Sequence, residues 1–297
     1  MKIAVTGASG MVGSAVTEAL KQSGHEVLPL VRGASPAPGA VRWDPGSGQI
    51  DAAALEGVDA AVHLAGESIN GRWTAARKKR IMDSRVEGTA LLARTLASLT
   101  RKPRVLVSAS AVGYYGDRGD EVLTEDSPPG NMFLSEVCRL WERAADLAAE
   151  GGIRVVSLRM GVILGRSGGA IASLLLPFKL GLGGRIGSGR QYMSWIGLTD
   201  VAGIVQHAIA TEQLRGPVNA TAPLPVTNRE FTKTLGRVLH RPTVLPLPAL
   251  AARLMLGQMA DELLLASERV LPTRLQASGY SFAHAEIEDA LRSALRR

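Results

Sequence analysis

Three glycines near the amino terminus have the spacing of a phosphate-binding turn. An apolar run at residues 2–5 leads into Thr6-Gly7-Ala8-Ser9-Gly10-Met11-Val12-Gly13, and a helical pattern follows. In such a strand–turn–helix the first glycine permits a sharp turn, the second lets a pyrophosphate approach the backbone, and the third lets the helix pack on the strand. Free N–H groups at the helix start would hold the phosphates. The alternative is a plain glycine turn. The predicted dinucleotide contacts are Thr6, Gly7, Ser9, Gly10, Met11, Val12 and Gly13.

The residues at the end of the second predicted strand indicate which dinucleotide binds. That strand, 25–31, is followed by Arg32, and no Asp or Glu lies between residues 28 and 40. A carboxylate here would bind the ribose 2′-hydroxyl of NAD, whereas a guanidinium can pair with the 2′-phosphate of NADP. We therefore expect NADP (NADPH), with Arg32 as the discriminating residue. An arginine that merely lies on the surface is the alternative.

Alternating strand and helix patterns position this turn. Apolar runs predict strands at 59–64, 104–110 and 153–159, and amphipathic patterns predict helices at 73–99 and 131–149. Apolar strands without polar alternation indicate a parallel sheet covered on both faces. The predicted fold class is α/β, a Rossmann doubly wound parallel sheet with a smaller C-terminal substrate lobe.

The pattern changes after residue 165. The glycine-rich stretch 165–190 fits a loop and short helix lining a cleft, or else a surface connector. A strand end and a helix follow at 195–210, with Thr199 as a candidate N-cap. Prolines and short helical patterns then predict a C-terminal lobe at 221–297. The dinucleotide-binding domain would span 1–220, with 165–190 as an insertion.

Composition excludes several classes of protein. Of 297 residues, 46% are apolar and 21% charged, which is ordinary for a soluble globular protein. The net charge is +7, and the densest basic cluster, RKKR at 77–80, lies within a helical pattern. Since aromatics are only 4%, we interpret this cluster as a solvated helix face and expect no nucleic-acid partner.

The cysteine and histidine content indicates the cellular compartment and bears on metal binding. Cys138 is the only cysteine, so the chain has no internal disulfide, which fits a reducing compartment. The five histidines show no metal-ligand spacing. No window of about eighteen apolar residues is present. We expect a cytoplasmic protein without a metal site or a membrane partner.

Several segments resemble the extended or atypical short-chain dehydrogenase/reductases of the NAD-dependent epimerase/dehydratase kind. They are the glycine turn, His63 to Gly66, Ser108-Ala109-Ser110 with Tyr114-Tyr115-Gly116, Arg159 to Gly165, and Trp195-Ile196 with Asp200. The resemblance implies a Rossmann fold, NAD(P) binding and redox chemistry on a small molecule. It implies further cofactor contacts at Leu64, Ala65, Gly66, Glu67, Arg85, Ser108 and Arg159.

Three longer segments resemble one subgroup, the "epimerase family" oxidoreductases. These are GLGGRIGSGRQYMSWI, PVTNREFTKTLGRVLHRP and DELLLASERVLP. Members of that subgroup carry a C-terminal domain of unknown function, which would lie here at about 247–294.

The chain departs from the parent family at its acid/base pair, Tyr-x-x-x-Lys. That pair should fall near residues 133–138, where the sequence reads Phe133-Leu134-Ser135-Glu136-Val137-Cys138. Neither Tyr nor Lys is present in either register. In the family the lysine lowers the tyrosine pKa and the tyrosine exchanges a proton with substrate. The family's asparagine before Gly88-Thr89 is Arg85 here.

Other residues could take over this chemistry. Tyr115 and Ser110 follow or end a predicted strand, where ligands bind in open α/β sheets, so both are catalytic candidates. Each has a structural alternative, a packed tyrosine and a locally bonded serine. Candidate substrate contacts are Tyr114, Arg190, Gln191 and Trp195.

Three functions are consistent with these features. The first is an NADP-dependent oxidoreductase acting on an unknown small molecule with atypical acid/base residues. The second is a nucleotide-sugar epimerase, and the third a non-catalytic NADP-binding sensor or scaffold. The helices near 73–99 and 131–149 could pair across a homodimer.

Overall fold

The computed structural model describes residues 1–33, 39–165 and 168–295 of the chain. The strands are β1 Lys2–Thr6, β2 Glu26–Val31, β3 Val41–Asp44, β4 Gln49–Ile50, β5 Ala60–His63, β6 Val105–Ala111, β7 Val122–Leu123, β8 Arg154–Met160, β9 Val162–Leu164, β10 Tyr192–Met193, β11 Trp195–Gly197, β12 Gly216–Ala220, β13 Val226–Thr227 and β14 Arg269–Val270. The helices are α1 Met11–Gln22, α2 Ala75–Ser98, α3 Phe133–Asp146, α4 Gly169–Lys179, α5 Leu198–Ala210, α6 Asn228–Leu239, α7 Ala249–Leu256, α8 Gln258–Ala260, α9 Thr273–Ala277 and α10 Ile287–Leu295.

Eight strands form the central sheet, in the order β12-β8-β6-β5-β1-β2-β3-β4. Neighbouring strands are parallel except β3 and β4, which are antiparallel. The chain order reverses at β1, which lies between β2 and β5. This reversal opens a crevice at the carboxyl ends of β1 and β5, which is where open α/β sheets bind ligands.

Both faces of the sheet are buried, because successive residues of each strand point to opposite faces. On β1, Ile3 and Val5 pack with Val16 and Leu20 of α1 and with residues of α5. Between them, Ala4 packs on the other face with residues of α2. The predicted α/β Rossmann fold is confirmed.

Edge strands and one helix start differ from the expectation. The strands β3, β4 and β12 were not predicted; β3 and β4 have four and two residues, and β12 includes a proline. These runs are too short or too irregular to show a period. Thr199 is not an N-cap, because α5 begins at Leu198 after Gly197, and no side chain caps it.

The segments after residue 221 are tied to the sheet by buried carboxylates. Asp200, which is fully buried on α5, accepts hydrogen bonds from the Tyr280 hydroxyl and from the backbone N–H groups of Ala283 and His284. Glu262 accepts hydrogen bonds from the N–H groups of Phe133 and Leu134, at the first turn of α3. These contacts hold the C-terminal segments against the carboxyl edge of the sheet. Within the described ranges, no helix is both long and apolar enough to cross a bilayer.

Candidate functional site

The turn between β1 and α1 can be built only with glycine at two of its positions. Gly7 has φ +68°, and a Cβ there would lie 2.9 Å from the backbone of Leu64 and Ala65. A Cβ on Gly13 would lie 2.0 Å from the Gly7 carbonyl oxygen. Gly7 therefore permits the turn, and Gly13 permits the close approach of α1 to β1.

The start of α1 fits a diphosphate. Its N-cap residue is Gly10, no side chain caps the helix, and its first turn has no acidic residue. The early N–H groups are therefore not taken by a side-chain cap, and no carboxylate in that turn would repel an anion. Ser9 and Gly10 are exposed, and Met11 and Val12 are half-buried. Of the predicted residues, Ser9, Gly10, Met11 and Val12 line this accessible helix start, whereas Thr6 and Gly13 are buried beneath it.

A buried polar chain connects this turn to its neighbours. The Thr6 hydroxyl accepts hydrogen bonds from the N–H groups of Leu64 and Ala65, so its own proton is directed to His63 Nδ1, 2.7 Å away. His63 Nε2 lies 2.9 Å from the Thr89 hydroxyl on α2. Complete burial lowers the pKa of His63 to about 4, so its ring is neutral. These hydrogen-bonded side chains hold β1, β5 and α2 in fixed positions relative to one another.

Arg85 crosses from α2 to the segment that follows β5. Its Nη1 donates to the carbonyl oxygens of Glu67 and Ile81, and its guanidinium lies 5.0 Å from the Trp141 ring. The Cζ atom is 3.4 Å from the Cβ position of Gly66. Arg85 is thereby held beside the expected cofactor segment, while the Glu67 carboxylate lies 3.9 Å from Arg80.

A second polar network lies at the carboxyl ends of β6 and β8. The Ser110 hydroxyl donates to Glu142 Oε1 at 2.7 Å. Arg159 Nε and Nη2 each lie 2.8 Å from one oxygen of Glu142, in a two-pronged ion pair. Ser110 and Arg159 face each other in the sheet register. The network brings a hydroxyl, a carboxylate and a cation to the predicted ligand-binding edge. Ser110 is 2% exposed and the Glu142 side chain 13%, so Glu142 is the member of the network most open to a ligand.

Tyr115 lies behind this network. It is fully buried, and its hydroxyl donates to Asn219 Oδ1 at 2.7 Å and accepts from Arg159 Nη1 at 2.9 Å. Burial raises the pKa of Tyr115 to about 12. The expected catalytic role does not fit this position, because both sides of the hydroxyl are bonded to protein. Tyr115 instead helps to position Arg159.

Arg159 and Ser108, two further expected ligand contacts, are buried and bond to other protein groups. Arg159 is 3% exposed, and its guanidinium lies over the Tyr114 ring, 3.4 Å from the ring centre. A direct cofactor contact does not fit this burial. Ser108 is 1% exposed, and its hydroxyl donates to the carbonyl oxygen of Ala109.

The expected substrate contacts are not brought together. Trp195 is fully buried, and its Nε1 donates to the Leu224 carbonyl oxygen. Gln191 is buried, and its amide donates to the carbonyl oxygens of Ile186 and Leu264. Their burial does not fit substrate binding, since both side chains serve the interior. Arg190 is exposed, and Tyr114 is half-buried under Arg159.

Apolar side chains occupy the place of the missing acid/base pair. Phe133 contacts Trp73 edge to face, and Leu134 and Val137 are buried with it in one cluster. Burial raises the pKa of the Cys138 thiol to about 12, so it is protonated at neutral pH. A buried, protonated thiol is a poor nucleophile.

Sequence reasoning missed Glu142 as a site residue. Glu142 follows Cys138 by four residues, one turn of α3, and so projects from a similar face of the helix. Its partner Arg159 is 17 residues away on a different element. The helical period alone could have pointed to Glu142, whereas the pairing required the strand register.

Arg32 directly follows β2 and is exposed at the surface. Part of the stretch in which the sequence shows no acidic residue, 34–38, lies outside the described residues. Arg32 thus occupies an accessible position next to the sheet edge that the coenzyme would use.

Comparison with known proteins identifies two family profiles in the chain. The sequence profile of the NAD dependent epimerase/dehydratase family matches residues 3–220. A second profile, a domain of unknown function (DUF1731), matches residues 247–294.

Similar proteins cover the whole chain. An epimerase family protein of Mycobacterium tuberculosis is 45% identical over 99% of this chain and 98% of its own length. The crystal structure of human epimerase family protein SDR39U1 (isoform 2) with NADPH is 38% identical, with a TM-score of 0.91 and 99% of both chains covered. A structure of a nucleoside-diphosphate sugar epimerase from Corynebacterium glutamicum is 40% identical, with a TM-score of 0.83, covering 99% of this chain and 58% of that one.

These matches extend over nearly the whole chain, so they include the segments whose sequence suggested the resemblance. The chain belongs to the NAD dependent epimerase/dehydratase family.

Proposed function

We propose that the protein is an NADP(H)-dependent oxidoreductase that acts on a small molecule with atypical acid/base residues. The observation that carries this proposal is the Ser110–Glu142–Arg159 network at the same sheet edge as the glycine cradle. A cradle for a dinucleotide beside a proton-carrying pair is what a dehydrogenase or reductase requires.

The choice of coenzyme follows from the turn and from Arg32. The open N-terminus of α1 would hold the diphosphate, and the exposed Arg32 would contact the 2′-phosphate. The similar human structure was determined with NADPH, which supports this choice. When bound, the coenzyme supplies or accepts a hydride at C4 of its nicotinamide.

Ser110 and Glu142 would move the proton that accompanies the hydride. Because Ser110 already donates to Glu142 Oε1, a substrate hydroxyl that donates to Ser110 Oγ could pass its proton on to the carboxylate. The reverse path would protonate a carbonyl oxygen that is being reduced. Arg159 positions the carboxylate by binding both of its oxygens.

Arg85 would provide the positive charge that the family's lysine provides elsewhere. The position expected for that lysine is apolar or Cys138, yet the Arg85 guanidinium lies near enough to oppose the rise in the Cys138 pKa. Its position 3.4 Å from where a Gly66 Cβ would lie supports a role on the cofactor side of α2. We therefore assign Arg85 to holding the coenzyme beside Ser110.

The proposal is tested by three variants with NADPH and a panel of carbonyl compounds. Loss of the reduced-nicotinamide absorbance should be abolished by Ser110→Ala, with the coenzyme affinity unchanged. Tyr115→Phe should keep turnover whenever it stays folded, because its hydroxyl faces Arg159 and Asn219. Arg94→Gln, an exposed change on α2, is the matched surface control. Full turnover by Ser110→Ala would contradict the proposed proton path.

A nucleotide-sugar epimerase is the second candidate, since the similar Corynebacterium protein is described as a nucleoside-diphosphate sugar epimerase. Epimerisation returns the hydride within one catalytic cycle, so it leaves no net change in NADPH. Conversion of a nucleotide sugar without coenzyme consumption would favour this candidate over the first. Tight NADPH binding with neither reaction would favour a sensor or scaffold.

The same proposal includes a cytoplasmic setting and a homodimer. Exposed residues of α2 and α3, the two helices that cover one face of the sheet, would form the dimer contact.

A further inference from the structure

A basic cavity is lined by the segment around Arg185, by α6 and by residues 243–246. It has a volume of about 340 Å³ and is lined by Arg185, Arg229, Lys233, Thr232, Thr243 and Val244, with one proline. None of the residues of the glycine turn takes part in it. Three cations and two hydroxyl-bearing side chains thus line one concavity.

The walls of the cavity are fixed by backbone contacts. The Leu247 N–H donates to the Arg185 carbonyl oxygen, and the Gly187 N–H donates to the Leu247 carbonyl oxygen. The Arg229 N–H donates to the Gly189 carbonyl oxygen at 2.9 Å. A Cβ on Gly184 would lie 1.7 Å from the Leu245 carbonyl oxygen, so glycine is needed where these segments meet. The cations therefore project from a defined framework.

The positive charge of the cavity is not neutralised by nearby carboxylates. In the described part of the chain, the ion pairs involve other residues, and none includes Arg185, Arg229 or Lys233. The neighbouring carboxylate of Glu230 is directed to the backbone and hydroxyl of Thr227. Of the three segments that line the cavity, 168–191 and 240–257 contain no Asp or Glu, and Glu230 is the one carboxylate in α6.

The Arg185 guanidinium is also held in place. Its Nη1 donates to the carbonyl oxygens of Gly187 and Ser188 at 2.9 Å, which leaves its other nitrogens available as donors. We propose that Arg185, Arg229 and Lys233 form a phosphate-binding site that is separate from the glycine turn. The held guanidinium of Arg185, beside the exposed Arg229 and Lys233 and the threonine hydroxyls, matches the charge and the three acceptor oxygens of a phosphate ester.

The rim of the cavity suggests what the phosphate is attached to. Val244 is 75% and Leu245 50% exposed, and Leu180 and Leu182 nearby in the adjoining segment are also exposed. An apolar rim beside an anion site fits a phosphate ester with an apolar carbon portion. The source is either a soluble phosphorylated metabolite or a phospholipid headgroup.

The test is a calorimetric titration of the NADPH-saturated protein with inorganic pyrophosphate. We expect saturable binding of one equivalent, weakened about 10-fold or more in the double variant Arg229→Gln/Lys233→Gln, since charge-assisted hydrogen bonds are lost. The control Lys21→Gln/Arg94→Gln removes the same charge at exposed sites on α1 and α2 and should bind like the wild type. The titration is repeated with Gly10→Ala in the absence of NADPH. Because this variant should not bind a diphosphate at the glycine turn, pyrophosphate binding to it would report the proposed site whether or not the protein binds NADPH or turns over a substrate.

Two further arms identify the source. Sedimentation with phosphatidylcholine vesicles that contain phosphatidic acid, lost in the double variant, supports a lipid headgroup. Pyrophosphate binding without sedimentation supports a soluble ester. The proposal is overturned when the wild type binds neither probe, or when the double variant and its control bind equally.

Discussion

The Glu142 carboxylate and the Arg159 guanidinium join α3 to β8 through two N–O contacts of 2.8 Å. The side chains are 13% and 3% exposed, so neither charge is well solvated. Arg159 also donates to the Tyr115 hydroxyl, whereas Glu142 accepts from Ser110. The pair thus connects an interior polar chain to the ligand-binding edge, and the two residues should respond differently to substitution.

Replacing Glu142 by Gln should reduce turnover with little effect on coenzyme affinity. The amide oxygen can still accept from Ser110 and Arg159 Nε, whereas the amide NH2 faces Arg159 Nη2, and the side chain cannot take up a proton at neutral pH. We expect kcat to fall about 100-fold, the usual contribution of a positioned base. Steady-state kinetics with NADPH and the identified substrate, together with the Kd of NADPH, check this.

Glu142→Ala tests the contribution of the ion pair to stability, as distinct from its contribution to turnover. It leaves the Arg159 cation buried without its partner, which should lower the free energy of unfolding by about 3–5 kcal/mol. Urea denaturation of both variants measures the difference. Equal stability of the wild type and Glu142→Ala would mean that the pair is solvated in solution.

The two glycines of the turn should behave differently. Gly13→Ala places a Cβ 2.0 Å from the Gly7 carbonyl oxygen, so we expect a loss of stability of about 1–3 kcal/mol or more. At Gly10 the corresponding Cβ is 3.4 Å from the same oxygen. Gly10→Ala should change the stability by less than about 1 kcal/mol, because two opposing effects nearly cancel. Alanine is a poorer N-cap residue than glycine, but it lowers the conformational entropy of the unfolded chain.

NADPH binding distinguishes the functional role of Gly10. A methyl group there would occupy the space that a diphosphate needs, so binding should fail in a protein with a nearly normal Tm. Thermal unfolding and fluorescence titration provide the two readings. Normal NADPH affinity in Gly10→Ala would place the diphosphate elsewhere.

Arg32 should determine the preference between the two nicotinamide coenzymes. Arg32→Ala removes the cation that would meet the 2′-phosphate, so we expect the Kd of NADPH to rise about 10-fold or more, with that of NADH little changed. Calorimetry with both coenzymes checks it, and Lys21→Gln is a control for net charge. A parallel change in both affinities would assign Arg32 to the surface alone.

The sequence predicts the sheet and the turn because both depend on local patterns. Gly7, Gly10 and Gly13 are set by spacing, and the buried strands by continuous apolar runs. Edge strands such as Val41–Asp44 are too short to show a period. Thr199 resembled a cap by residue type, but α5 begins one residue earlier.

The polar site was harder to predict because its contacts are not local. Tyr115 and Trp195 have residue types typical of ligand sites, yet both are fully buried, and a single sequence does not show which side of a turn faces the core. Glu142 reaches Ser110 across 32 residues and Arg159 across 17. Only the register of β6 against β8, which aligns Ser110 with Arg159, brings these groups together.

His63 should make the stability of the protein depend on pH. Its pKa is about 4 in the folded state, because of burial, and near 6.5 in the unfolded chain. Below pH 6.5 the unfolded state therefore binds a proton that the folded state does not, so stability is fully present above pH 6.5 and falls as the pH approaches 4. This difference between the folded and unfolded pKa values corresponds to about 3 kcal/mol of unfolding free energy.

Measuring urea unfolding at several pH values between 4 and 7 should show this loss of stability in the wild type. His63→Gln can still bond to Thr6 and Thr89 but cannot titrate, so it should be less stable at pH 7 yet change less with pH. An identical pH dependence in the two proteins would show that other groups cause the acid sensitivity.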